Sequence, residues 1–143
     1  MNNLDSDEFD KKICKAFPNL YKDRKASMQT TCMCWGFEIS QGWQQLVWDL
    51  SEKLEAEILK QPKAERKNYR ASQVKSKYAG LRFYMTASTD EMDKLISAAE
   101  DISEQTCEPC GKPGKIYGGG WVTCYCDDCA RSRNMFVKSE DLP

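Results

Sequence analysis

The residues best suited to chemistry are eight cysteines, and their spacing divides them into two kinds. Cys107-Glu-Pro-Cys110 and Cys126-Asp-Asp-Cys129 form a C-x2-C, x15, C-x2-C pattern, inside the range of a four-cysteine metal site. Each C-x2-C turn folds back so that two thiolates reach one ion at about 2.3 Å, and two such knuckles complete a tetrahedron. Gly111 and Gly114 permit the positive φ that these turns commonly use. Four thiolates leave no open coordination position, so the pattern predicts one structural Zn2+ ion in a ribbon; an iron–sulfur cluster would use the same ligands. Cys124, in Cys124-Tyr-Cys126, is a competing thiol that strand alternation would point the same way as Cys126. Cys126 is preferred because it restores the symmetric pair. Cys14, Cys32 and Cys34, with Cys124, read as small buried core thiols, a second metal site being the alternative.

Catalysis finds little support in the rest of the chain. The sequence contains no histidine, which removes the commonest general base and the usual ligand of open zinc sites. No pair of carboxylates occupies a recognisable setting. Gly118-Gly119-Gly120 lacks the Lys-Ser/Thr of a phosphate-cradling loop and reads as the turn at the ribbon tip. The chain is therefore expected not to be an enzyme, with a cysteine-dependent activity as the remote alternative.

The elements that position the cysteines follow from periodicity. The spacing predicts a helix over 6–17, with Ser6 as cap and Phe9, Ile13 and Phe17 on one side. Thr30 to Trp35 suits an extended segment. A longer helix is predicted over 42–61, where Trp43, Leu46, Val47, Leu50, Leu54 and Ile58 recur before Pro62. Residues 60–73 suit an exposed loop or a helix extension. Residues 74–86 predict one or two strands, with Leu81, Phe83 and Met85 alternating with Arg82, Tyr84 and Thr86. A third helix is predicted over 88–105, capped by Ser88 with Glu91 as its capping-box partner and striped by Met92, Leu95, Ile96, Ala99 and Ile102. It runs straight into Cys107. The expected fold is thus α+β: a small helix-and-strand body over 1–106, a C-terminal four-cysteine zinc ribbon over 107–130 docked on it, and a tail over 131–143.

At 143 residues and 41% hydrophobic, the chain can bury a core, and its net charge of −1 gives no global attraction to nucleic acid. The charge is uneven. Residues 60–82 hold eight cations against Glu65, a net +7, and residues 83–106 hold Lys94 against six acids, a net −5. The basic stretch, interleaved with Tyr69 and Tyr78, suits single-stranded nucleic acid or an acidic protein, and acidic helices of the same chain are a third destination. Trp121 beside the glycines is a candidate anchor for a base or a protein, or packs the ribbon on the preceding helix. No apolar run approaches the roughly 18 residues of a membrane span, and the N-terminus lacks a secretory h-region, so an intracellular location is expected.

The stretch from Gln73 to Tyr84, QVKSKYAGLRFY, resembles the "QVKEKFGGLRFY" signature of small, largely uncharacterised bacteriophage and prophage proteins. In that family an acidic helix follows, then a ribbon reading C-x2-C-G-x-P-G, GW and a second C-x2-C or C-x2-H. Cys107 to Gly114, Gly120-Trp121 and Cys126 to Ala130 match in order, and Trp35-Gly36-Phe37-Glu38 with Gly42-Trp43 is similar to a family segment opening the long helix. The similarity covers about residues 17–130. This chain departs from it at Tyr78-Ala79, where Phe-Gly is usual, and at Ser40-Gln41. The resemblance implies a bacterial-virus setting, in the host bacterial cytoplasm, without implying an activity. The resulting expectation is a phage-encoded accessory protein that binds a host or anti-phage-defence protein, with nucleic acid as the alternative partner. Lys75, Lys77, Arg82, Tyr84 and Trp121 are its candidate partner-binding residues.

Overall fold

The computed structural model describes residues 1–118 and 122–133. Expectations for Gly119, Gly120 and Trp121, and for the tail beyond Arg133, lie outside the described residues. The fold is α+β, with a helix-and-strand body and a C-terminal cluster of four cysteines.

Helix α1 (Ser6–Ala16) begins one residue earlier in its capping than the sequence suggests. Asp5, not Ser6, is the cap, and its carboxylate accepts from the Glu8 N–H at 2.8 Å. Phe9, Ile13 and Phe17 are buried, as their spacing requires. The segment expected to be extended near Thr30 to Trp35 is instead a 3-10 turn at Cys32–Trp35. Thr31 Oγ1 accepts from the Met33 N–H, and Gly36, at φ 77°, ends the turn. Local side-chain capping overrides the β preference of that stretch. Strand β1 (Phe37–Glu38) follows.

A second 3-10 turn, Gln41–Trp43, leads into helix α2 (Gln44–Leu59). Trp43, Val47, Leu50, Leu54 and Ile58 bury one face of this unit. Leu46 is only half-buried at the margin of that stripe. The stretch over 60–73, expected as an exposed loop or a helix extension, divides differently: Lys63–Asn68 form a 3-10 turn, and strand β2 already starts at Ala71.

Strands β2 (Ala71–Lys77) and β3 (Gly80–Met85) pair antiparallel, and β1 joins β2 in parallel across α2, giving the order β1-β2-β3. Phe37, Val74 and Phe83 form one cross-strand row facing the core, and Glu38, Lys75 and Arg82 form the next row on the opposite face. The hairpin turn places both Tyr78 (φ 52°) and Ala79 (φ 64°) in the left-handed region, the type I′ arrangement that Gly normally fills.

Helix α3 (Asp90–Ser103) is capped by Thr89, whose hydroxyl accepts from the Met92 N–H at 3.2 Å. Ser88, the expected cap, donates instead to the Asp93 carboxylate. α3 also closes the outer edge of β3. The Leu81 N–H donates to Ser103 Oγ at 2.8 Å and the Phe83 N–H to Glu100 Oε2 at 3.1 Å. Those side chains occupy donors that would otherwise template pairing with another chain. Ile102, expected in the apolar stripe, is 54% exposed, and Ser103 is instead the buried residue of that last turn.

Candidate metal centre

The ribbon follows α3 without a linker and consists of strand β4 (Lys115–Gly118), strand β5 (Val122–Tyr125) and the short helix α4 (Asp127–Ser132). β4 and β5 pair antiparallel from Lys115 with Tyr125 to Gly118 with Val122. This hairpin brings the second cysteine pair back to the first.

The first knuckle is a turn in which the Gly111 N–H donates to the Cys107 carbonyl at 2.8 Å and the Cys107 N–H to the Lys112 carbonyl at 2.7 Å. Gly111 has φ 85°, so the turn takes the conformation that glycine permits. In the second knuckle Cys126 is the cap of α4, and its sulfur accepts from the Cys129 N–H at 3.4 Å. The sulfurs of Cys107, Cys110, Cys126 and Cys129 all lie within 4.8 Å of one another. Thiolates about 2.3 Å from a tetrahedral ion stand about 3.8 Å apart, and Cys110 and Cys126 are 3.6 Å apart. These four residues could hold one metal ion.

Electrostatics distinguishes the thiols. The backbone N–H of Cys129 holds Cys126 down to about 7, which favours its thiolate relative to an ordinary cysteine. Burial pushes Cys107 and Cys129 up, which in a metal-free pocket favours their protonated forms. An ion would reverse that preference by supplying the positive charge the site lacks.

Cys124 is excluded from the cluster, for a reason that corrects the alternation argument. The strand ends at Tyr125, and Cys126 has already turned into the helix cap. Cys124 is fully buried, its thiol donates to the Glu104 carbonyl at 3.3 Å, and burial raises it to about 11. It belongs to the core of the body. Cys14, Cys32 and Cys34 do not join it in a second cluster; among the described residues only the one group of four is assembled. Cys14 is half-buried beside Asp10, Cys34 donates to the Thr31 carbonyl, and Cys32 is exposed, contrary to its expected burial.

The structure adds a socket for the knuckle that spacing did not reveal. Glu108, between two of the clustered cysteines, donates its N–H to the Cys124 carbonyl and accepts the Gly42 N–H on its own carbonyl at 2.6 Å. Its carboxylate accepts from the Ser40 N–H at 3.0 Å and from Ser76 Oγ at 2.9 Å. Trp43 Nε1 donates to the Thr106 carbonyl at 2.8 Å. A Cβ on Gly42 would lie 2.3 Å from the carbonyl oxygens of Cys107 and Glu108 and 2.4 Å from the Gly111 nitrogen. Only glycine fits there. The Gly42-Trp43 pair, read from sequence as a helix opening, is also the surface on which the first knuckle sits.

The candidate partner-binding residues fall on the sheet. Lys75 is the cross-strand partner of Arg82, and Tyr84 and Lys77 lie two residues along on the same face. Tyr84 is 43% exposed. The 60–82 stretch does not act as one basic stripe. Lys60 pairs with Glu57, Arg70 pairs with Asp23 at 2.8 Å, and Arg66 donates to the carbonyls of Leu59 and Gln61. Among the described residues, Lys75, Lys77 and Arg82 enter no ion pair, with α3 or elsewhere. Trp121 lies outside the described residues. No described helix is long and apolar enough to cross a membrane.

Comparison with protein-family models, with curated proteins and with solved structures finds no match to this chain. The site is therefore read from its own geometry.

Proposed function

We propose that the protein is a non-catalytic binding module, built on a structural zinc ribbon, whose outer sheet face engages an acidic protein partner. Four sulfurs at tetrahedral spacing favour a soft divalent ion that accepts thiolates, and zinc is the usual occupant of such a set. Complete thiolate coordination gives that ion no position for substrate, so its role is to hold the ribbon on the body.

The observation that carries the partner reading is the half-buried pair Lys75 and Arg82, flanked by the exposed Lys77 and Tyr84, with no ion pair to these cations among the described residues. Like charges directly opposite on a sheet are mildly destabilising, and Glu38 on the other side of Lys75 sets one carboxylate against the two cations, leaving the row net positive for a partner's carboxylates to meet. The resemblance of Gln73–Tyr84 and the ribbon to phage proteins supplies the setting: an accessory protein acting on a host or defence protein in the host cytoplasm.

The test is capture from host bacterial lysate on immobilised protein, comparing the parent with Arg82→Ala and Tyr84→Ala. The reading expects one protein retained by the parent and lost by both variants. Equal capture by all three would remove the sheet face from the proposal. Nucleic acid as the partner would show itself by nuclease sensitivity and by a steep fall of binding with salt.

A further inference from the structure

The junction of body and ribbon forms a groove of about 960 Å3. One side is the end of β2 and its turn, from Lys75 to Tyr78, and the other is β5 with Arg133. Gly42, Glu108 and Trp43 fix these two sides against each other, so the groove exists only because the knuckle is seated.

We propose that this groove receives an extended acidic segment of the partner protein, its carboxylates meeting Lys75, Lys77 and Arg133 and its apolar side chains lying against Tyr78 and Tyr125. The inference rests on the protein-partner reading above and names the contact.

Charge is the first argument. Glu108 is the only carboxylate among the described lining residues, and both its oxygens are engaged, by the Ser40 N–H and the Ser76 hydroxyl. Among the described residues Lys75, Lys77 and Arg133 enter no ion pair, and Arg133 donates only to the Cys129 carbonyl and the Ser132 hydroxyl. The second argument is their placement on aromatic rings. The Lys77 ammonium lies 5.4 Å from the centre of the Tyr78 ring, and the Arg133 guanidinium 5.2 Å from that of Tyr125. Each side of the groove thus offers a positive charge beside an apolar surface. Tyr78 is 71% exposed and held at φ 52°, a left-handed conformation that costs energy in folding and projects the ring from the turn. Thirdly, Thr123 Oγ1 is buried on the β5 side without a hydrogen-bond partner, the only such side-chain atom among the described residues.

The lining favours a peptide over a nucleic acid. Ile39, Pro109 and Val122 supply hydrocarbon that side chains of alternating character would cover. Three cations on a chain of net charge −1 give a short anchor for a few carboxylates, not a long track for successive phosphates.

Fluorescence anisotropy with the full chain tests this directly. The probes are a labelled ten-residue peptide alternating Glu with Leu and Tyr, the same peptide with Gln for every Glu, and a thymidine decanucleotide. The acidic peptide is expected to bind, and the Gln peptide and the Lys75→Glu/Lys77→Glu variant are each expected to weaken binding by about tenfold or more. Tyr78→Ala, a change at an exposed turn, is expected to weaken it too, and circular dichroism on each variant confirms that it is folded. Equal binding of the acidic and Gln peptides, tighter binding of the oligonucleotide, or no peptide binding at all would overturn the groove assignment. If lysate capture still depends on Arg82 and Tyr84 in that event, the sheet-face reading stands without the groove.

Discussion

The body and the ribbon of this chain are held together by different physics. The body buries Phe9, Ile13, Leu20, Met33, Trp43, Leu54 and Ile58 almost completely, with edge-to-face contacts such as Phe9 on Phe37 at 5.4 Å. Among the described residues, the ribbon's own core is Tyr117 and Ala130, with Tyr125 packed beside them. A region that small cannot offset the ordering of its backbone by burial alone. It holds four sulfurs in register instead, and borrows the Gly42-Trp43 socket from the body. The lesson is that one chain can use apolar area where it has length and gather four thiols able to hold an ion where it does not.

The largest expected effect comes from removing the metal. Chelation under reducing conditions should withdraw stabilisation on the order of 10 kcal/mol from the ribbon. Hydrogen exchange should then accelerate across residues 107–133 while the amides of α1, α2 and β2 stay protected. Unfolding of the whole chain together would instead mean that the two regions are one cooperative unit.

Trp43→Ala strikes both regions at once, because the ring is fully buried and its Nε1 holds the Thr106 carbonyl. It should lower stability by about 3–5 kcal/mol in urea titration and also loosen the metal. Gly42→Ala sharpens the comparison by striking the contact alone. The new Cβ meets backbone atoms 2.3 Å away. It should cost about 1–3 kcal/mol, read as faster metal loss to a chelator with the helical signal of the body retained.

The smallest expected effect is a gain. Ala79→Gly relieves about 1–2 kcal/mol of left-handed strain and removes a buried methyl worth about 0.8 kcal/mol. The net should be a rise of under about 1 kcal/mol in the urea-derived stability of the body, with metal content unchanged. A fall in stability would show that the Ala79 methyl, 1% exposed, packs better than its backbone is strained.

Periodicity made the body legible. The stripe from Trp43 to Ile58 and the alternation from Leu81 to Met85 name the faces that are buried. Caps were displaced by one residue, to Asp5 and Thr89, because adjacent residues all carry capping oxygens and only geometry selects among them. The Cys32–Trp35 turn was hidden because a Thr hydroxyl and a positive-φ glycine, not propensity, shape it. At the ribbon, spacing alone identified the four cysteines that the fold brings together. It did not show where Cys124 points, since the strand-to-helix switch at Cys126 breaks the alternation. Nor did it show the Gly42 socket or the groove, which depend on contacts between residues more than 60 positions apart.

Native mass spectrometry of the reduced protein, purified without added metal, tests the central claim most directly. The account predicts one zinc ion per chain, with a proton lost from each of the four clustered thiols, and loss of that ion when Cys126 is replaced by Ser. A metal-free chain whose ribbon is fully protected from hydrogen exchange would contradict it.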